Sequence, residues 1–316
     1  MSGPVPGHDL SAADAVRSVA EVLARASVPS PSADARWLVG EALGADPHRH
    51  ADEVLPAASR VRLDEMVARR TARVPLQLIL GHTSFRTLEI VCRSGVFLPR
   101  PETEVVAGVA IDAARSAVAH SCDGRPAVAR RRAVVVEPCT GSGAIACSIA
   151  AEVPGVRVIA SDHDGAAVAL AAHNAARLEA GEAGPAGMAD GSVVEVVVGD
   201  LLDGIDPALR GAVDVLVANP PYLPIADRDS WLPEVAEHEP LGALVGGADG
   251  HEVLDALLHL AVEWLAPGGT VVLEIDERRG ADALAAAGDA GLAAARLVTD
   301  LSDADRAVVA MRRPAA

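Results

Sequence analysis

The chain has 316 residues, half of them hydrophobic and only 2% aromatic, with 27 Lys plus Arg against 44 Asp plus Glu and a net charge of −17. That length holds two domains with a sizeable core, whereas the acidic balance lacks the basic surface that direct binding to DNA or free RNA requires. No apolar run approaches the roughly 20 residues of a membrane span, the first ten residues have no secretory-signal pattern, and Cys92, Cys122, Cys139 and Cys147 form neither a CxxC pair nor a zinc spacing, which fits a reducing cytoplasm and predicts no metal.

Residues 11–73 read as a small helical bundle. Ser11 is placed to cap a helix with Val16, Val19 and Leu23 on its apolar face. Ser32 is placed to cap a second, with Ala35, Leu38, Val39 and Ala42 inward and Gly44 as its stop. A third follows Ser59, with Leu63, Met66 and Val67 inward. His48, His50 and the arginines at 69, 70 and 73 read as solvated surface. From Leu76 the runs LQLILG and SFRTLEIVC look extended, with a turn at Gly81-His82, which predicts a hairpin linker over residues 76–100. Pro101 and Glu102 suit the first turn of a helix running to about Ala119, and residues 120–132 read as a linker ending in three arginines.

A strand over Val134–Val136 then runs into Glu137-Pro-Cys-Thr-Gly141-Ser-Gly143, followed by a helix. Strand, glycine loop and helix are in the order that a nucleotide-type cofactor requires. A second strand, Val156–Ala160, ends at Asp162, placed for ribose hydroxyls. A helix over 165–180 carries Val168, Ala169, Ala172 and Ala176 along one face. A third strand, Val193–Val198, ends at Asp200-Leu201, an acid for the adenine side and an apolar residue to pack on the ring. After the fourth strand come a helix near 250–265, a strand over Thr270–Ile275, an Ala-rich helix and two strands near 293–299 and 306–311. The alternation predicts an α/β doubly wound, mostly parallel sheet with ligands at the strand carboxyl ends.

The fourth strand, Val215–Ala218, breaks at Asn219-Pro220-Pro221-Tyr222. Two prolines stiffen the turn, and Asn219 before a proline is held extended. The nitrogen of a planar NH2 group is a poor nucleophile. The Asn219 side-chain oxygen and the Pro220 carbonyl can grip its two N–H bonds, aim it at a methyl donor and favour the positive charge that develops. Tyr222, the only tyrosine in the chain, can pack on the flat group. The glycine loop alone also satisfies a loose dinucleotide fingerprint. Glu137, however, would accept from the ammonium group of S-adenosylmethionine and would oppose a pyrophosphate, and the Asn-Pro-Pro-Tyr turn has no role in hydride transfer.

PLQLILG at 75–81, LPRPETE at 98–104, CTGSGAIA from 139, Asp162, NPPY at 219–222, EPLGALVGGADG at 239–250 and DRAVVAMR at 305–312 together resemble the protein-(glutamine-N5) methyltransferases that act on peptide-chain release factors. The chain departs from the family's usual runs at Glu137-Pro138-Cys139, at Leu201 and at Asp276–Arg279. The resemblance implies a five-helix substrate-binding domain over residues 1–75, a β-hairpin linker over 76–100 and a seven-stranded class I methyltransferase domain over 101–316. It implies transfer of a methyl group from S-adenosylmethionine to the side-chain amide of the glutamine in a Gly-Gly-Gln loop, in a cytoplasmic protein expected to be monomeric. Catalysis then falls to Asn219, Pro220 and Tyr222. The cofactor falls to Glu137, Cys139, Thr140, Gly141, Ser142, Gly143, Asp162, Asp200, Leu201 and Asn219, and the substrate to Asn219, Pro220, Pro221, Tyr222, Arg100 and Glu102. The alternative is a paralogue that uses the same clamp on another protein or on a small amine or amide.

Overall fold

The computed structural model describes residues 10–120, 132–185 and 187–314. The predicted linker over 120–132 and the first nine residues lie almost wholly outside that range. The chain divides into two compact units, residues 1–81 and 82–316.

Four helices form the first unit among the described residues: α1 (Ala12–Arg25), α2 (Pro31–Leu43), α3 (Ala57–Thr71) and α4 (Leu76–Leu80), one fewer than the family resemblance implies. Ser11 caps α1 by accepting from the Asp14 N–H at 3.1 Å. Ser32 caps nothing; α2 begins at Pro31, whose missing N–H and fixed φ suit a first helical position. Likewise α3 starts at Ala57, so Ser59 lies inside its first turn. Leu23, Leu38, Val39, Leu55 and Leu63 make the core of this unit. Arg70 is not surface: it is buried and donates to buried Asp34 through Nε at 2.7 Å and to the Val74 carbonyl at 3.2 Å. Leu76–Leu80 is helical, not extended; a short apolar run fits either period, and Gly81 stops it in the left-handed region with its N–H on the Gln77 carbonyl.

The second unit opens with the hairpin β1 (His82–Phe85) and β2 (Leu88–Val91). Its turn is at Arg86-Thr87, where Arg86 takes a φ of 52°, and not at Gly81-His82. The hairpin therefore lies within residues 82–91 and is not a separate linker: Phe85, Leu88 and Ile90 belong to a core shared with α5 (Thr103–His120) and α6 (Ala144–Glu152).

The sheet strands are β3 (Ala133–Pro138), β4 (Val156–Asp162), β5 (Val193–Val198), β6 (Val213–Ala218), β7 (Leu265–Glu274), β8 (Ala293–Thr299) and β9 (Asp305–Met311). Between them run α7 (Gly165–Glu179), the short α8 (Pro233–Ala236), α9 (Glu252–Trp264) and α10 (Gly280–Asp289). The seven strands order as β5-β4-β3-β6-β7-β9-β8; the first five are parallel, and β9 pairs antiparallel with both β7 and β8. The doubly wound, mostly parallel expectation holds. Strand β7 starts at Leu265, five residues before the expected Thr270.

Period-two alternation sorts each strand between two cores. Val135, Val158, Val215 and Val217 face the hairpin side. Val134, Val136, Ile159 and Leu216 face the core built with α9 and α10. The stripe expected on α7 was misplaced: Ala167, Leu170, Ala171, Asn174, Ala175 and Leu178 are the buried positions. In so alanine-rich a helix several faces look equally apolar, and only Leu170 and Leu178 mark the true one. Among the described residues no helix is long and apolar enough to cross a membrane.

Candidate active site

Strand order reverses between β3 and β6: the chain steps outward through β4 and β5 on one side and through β7 on the other. A crevice opens at the carboxyl ends of strands at such a switch point. A cavity of about 300 Å³ lies there, lined by Glu137, the 139–142 loop and Asp162 on one side and by Asn219 and Pro221 on the other. Phe97, Thr103, His163 and the 240–243 segment complete its wall.

The glycine loop is held by Asp162. Its Oδ2 accepts from the Gly141 N–H at 2.9 Å and its Oδ1 from the Asp164 N–H at 3.0 Å. Cys139 and Gly141 both take positive φ, 57° and 55°, which coils the loop tightly enough to bring its backbone to the cavity. Gly143 caps α6 at φ 78°, and a Cβ there would meet Ala171 at 3.1 Å, so glycine permits the close crossing of α6 and α7. Asn174 fastens the assembly: its amide nitrogen donates to the Ser142 and Val91 carbonyls, and its oxygen accepts from the Val91 N–H.

Glu137 is 1% exposed, yet it is among the residues that line the cavity. Burial pushes its pKa up to about 8, against the hydrogen bond it accepts from the Thr140 hydroxyl at 2.9 Å. A buried acid at the wall of a cavity is a site for a cation or a donor. Asp162 offers a nearly buried carboxylate beside it. These two acids suit a ligand carrying an ammonium group and hydroxyls, so the side chains present fit S-adenosylmethionine.

Asn219 stands at a junction. It lines the large cavity and also a second one of about 200 Å³, whose wall includes Arg100, Pro220, Tyr222 and Leu223. Its side-chain nitrogen donates to the Thr103 hydroxyl at 3.2 Å. The Tyr222 hydroxyl donates to Glu274 at 3.3 Å, and burial raises the phenol's pKa. The turn that carries these residues is clamped by the 244–250 loop. The Leu223 N–H bonds the Leu244 carbonyl at 2.9 Å, and the Gly246 N–H bonds the Leu223 carbonyl at 3.1 Å. A Cβ on Gly246 would come within 2.4 Å of the Pro221 carbonyl, and one on Gly250 within 2.3 Å of the Tyr222 carbonyl. The glycines of GGADG are thus where the second loop touches the platform.

Not every expected residue reaches the cavities. Cys139, Thr140, Gly141 and Ser142 line the large one; Gly143 sits behind it. Asp200 and Leu201 stand at the same rim, since the Gly199 N–H bonds the Asp162 carbonyl at 3.0 Å, but neither lines the cavity. Arg100 lines the second cavity, pairs with buried Glu239 and lies over the Phe97 ring at 4.9 Å. Glu102 is exposed and lines neither. Its neighbour Thr103 is buried and, with Pro99 of the same motif, lines the large cavity. The 276–279 segment, where the chain departs from its family, is a short turn: Asp276 accepts from the Arg278 backbone and guanidinium, which hold its pKa down. Phe97 and Thr103 were missed; they lie beside and within the LPRPETE motif, and nothing in the sequence singled them out.

Residues 14–81 match the model of the PrmC N-terminal domain. A release factor glutamine methyltransferase of Streptomyces coelicolor is 39% identical over 84% of this chain and 85% of its own length. One of Mycolicibacterium smegmatis is 38% identical over 83% of this chain and 84% of its own. One of Deinococcus radiodurans is 35% identical over 92% and 94%. With relatives of this similarity along most of its length, the chain belongs to the release factor glutamine methyltransferases.

Proposed function

We propose that this protein methylates the side-chain amide nitrogen of a glutamine in the Gly-Gly-Gln loop of a peptide-chain release factor, using S-adenosylmethionine. The observation that carries the reading is the position of Asn219, one side-chain amide shared by a cofactor-sized cavity and a smaller one beside it. When bound, the cofactor supplies an electrophilic methyl group. The protein's part is to hold both reactants. Asp162 takes hydroxyls, and Glu137 takes the ammonium group. On the other side, the Asn219 oxygen and the Pro220 carbonyl accept the two N–H bonds of the substrate amide, while Tyr222 and Phe97 pack against its plane. The two acceptors favour the charge that grows on nitrogen during attack. No strong base is needed, because the methylated amide loses its extra proton to water.

Two tests address the donor half. Asp162→Ala should weaken S-adenosylmethionine binding by about 1.5–3 kcal/mol, the worth of charge-assisted hydrogen bonds. The loss includes the release of the Gly141 N–H that Asp162 now holds. Calorimetry showing unchanged affinity would remove Asp162 from the site. Glu137 makes the second test. With its pKa raised to about 8, it carries a proton at neutral pH, and an ammonium group beside it draws that pKa down. Binding therefore releases a proton, and affinity rises as pH climbs toward about 8. Calorimetry in buffers of different ionisation enthalpy should detect the proton in the native protein and lose it in Glu137→Gln. Equal proton release in both would place the ammonium group elsewhere.

A further inference from the structure

Glu239 opens the EPLGALVGGADG stretch, and the chemistry described above gives it no part. Its side chain is 1% exposed. Its Oε1 accepts from Arg100 Nη2, and its Oε2 has no partner among the described residues. A buried carboxylate left half satisfied is costly, so the position calls for a use other than stability. Burial raises the pKa of this carboxyl, and the Arg100 guanidinium works against that rise.

The place of Arg100 supplies the use. Its guanidinium lines the second cavity and lies over the Phe97 ring, 4.9 Å from the centroid. Phe97 lines both cavities, as Asn219 and Ala243 do. Its Cβ is 3.9 Å from where a Cβ on Gly141 would stand. Phe97 therefore reaches from the glycine loop to a side chain that keeps its positive charge at any working pH. Positive charge at this wall works against methyl transfer. As the bond from nitrogen to the methyl carbon forms and the sulfur–carbon bond breaks, the electron pair stays on sulfur. Positive charge moves to the nitrogen, which then passes a proton to water. A bare guanidinium opposes both the sulfonium that enters and the nitrogen that becomes charged. A guanidinium paired with a carboxylate opposes them far less.

We propose that Glu239 is a positioning residue: paired with Arg100, it holds the guanidinium on the Phe97 ring and cancels its charge beside the cavity where methyl transfer builds a cation. The proposal rests on the methyl-transfer reading and deepens it. Arg100 and Glu239 stand 139 residues apart in the chain, so the pair joins LPRPETE to EPLGALVGGADG at the ring that both cavities share.

Calorimetry on the intact protein tests the charge without any acceptor. S-adenosylmethionine carries a sulfonium charge, and S-adenosylhomocysteine, which lacks only the methyl group, does not. Glu239→Gln keeps the shape of the side chain and removes its charge. It should weaken S-adenosylmethionine by about fivefold or more, the order expected of one unpaired cation acting through a partly polar interior, and leave S-adenosylhomocysteine unchanged. Glu239→Gln combined with Arg100→Met removes both charges and should restore the native ratio of the two affinities. Arg100→Met alone removes the cation and should not weaken S-adenosylmethionine relative to S-adenosylhomocysteine. In turnover on a release factor, Glu239→Gln should lower kcat by about tenfold with a smaller change in KM, and Glu239→Asp, which keeps the charge, should recover it. Equal weakening of both ligands by Glu239→Gln, or none, overturns the proposal, because a purely structural pair does not tell the two apart. So does a double variant whose ratio stays as low as that of Glu239→Gln, or selective loss of S-adenosylmethionine in Arg100→Met. A Glu239→Asp variant as slow as Glu239→Gln overturns it as well. A native protein that methylates no release factor overturns the acceptor assignment instead, and the two affinities still decide the role of Glu239.

Discussion

Asn219→Ala should lower turnover on a release factor by about 10²–10³, the range for losing one preorganised polar contact to a transition state. The residue is expected to act by position. It has no titratable group, its strand end is fixed by Pro220 and Pro221, and its amide is bonded to buried Thr103. Because it lines both cavities, truncation removes an acceptor from the substrate side and opens the wall between them. Donor affinity should change far less than kcat, since the glycine loop, Glu137 and Asp162 remain. Single-turnover kinetics beside calorimetry separates the two effects. A rate loss below roughly tenfold, well short of that range, would mean that another group holds the amide.

Removing residues 1–81 should leave S-adenosylmethionine binding intact and lower kcat/KM on a whole release factor by roughly 10²-fold or more, the loss expected when contacts worth about 3 kcal/mol outside the reacting group are gone. Residues 82–316 form their own compact unit and contain both cavities and both sheet cores. The residues that line both cavities all belong to the second unit. The helical unit carries apolar side chains in solvent, Trp37 on α2 at 56% exposure and Val61 on α3 at 59%, and exposed large apolar residues are suited to a partner surface. Methylation of a short Gly-Gly-Gln peptide should be slow in both forms and equal between them. Equal activity of the two forms on the whole factor would show that the helices have no role in holding it.

What the sequence made legible follows from where its signals are strong. The strand ends were readable because β3 and β6 are unbroken apolar runs that stop at Glu137 and at Asn219, each followed by turn residues. The rim followed from strand alternation, which needs only period and order. The 76–80 stretch was misread because five apolar or amide residues fit a helix and a strand equally, and a stop at Gly81 serves both. The face of α7 was misread because alanine marks no face. Arg70 was taken for surface because its partner, Asp34, lies 36 residues away, beyond any local pattern. Thr103 was invisible for the same reason. It meets Asn219 from 116 residues away in the chain, and a threonine inside a motif says nothing of what it will face. Asp200 and Leu201 show the reverse: their spacing suits a cofactor, and the structure leaves them at the rim, outside the cavity wall.

The central claim is that this chain methylates a release-factor glutamine at the platform built on Asn219. The most direct measurement is mass spectrometry of a purified release factor after incubation with the intact protein and methyl-labelled S-adenosylmethionine. The account predicts that the peptide containing Gly-Gly-Gln gains the mass of one labelled methyl group, that fragmentation places it on the glutamine side chain, and that Asn219→Ala leaves the peptide unmodified over the same time. A release factor that gains no label while a free amine or another protein does would contradict it and make this chain a methyltransferase with the same clamp and a different acceptor.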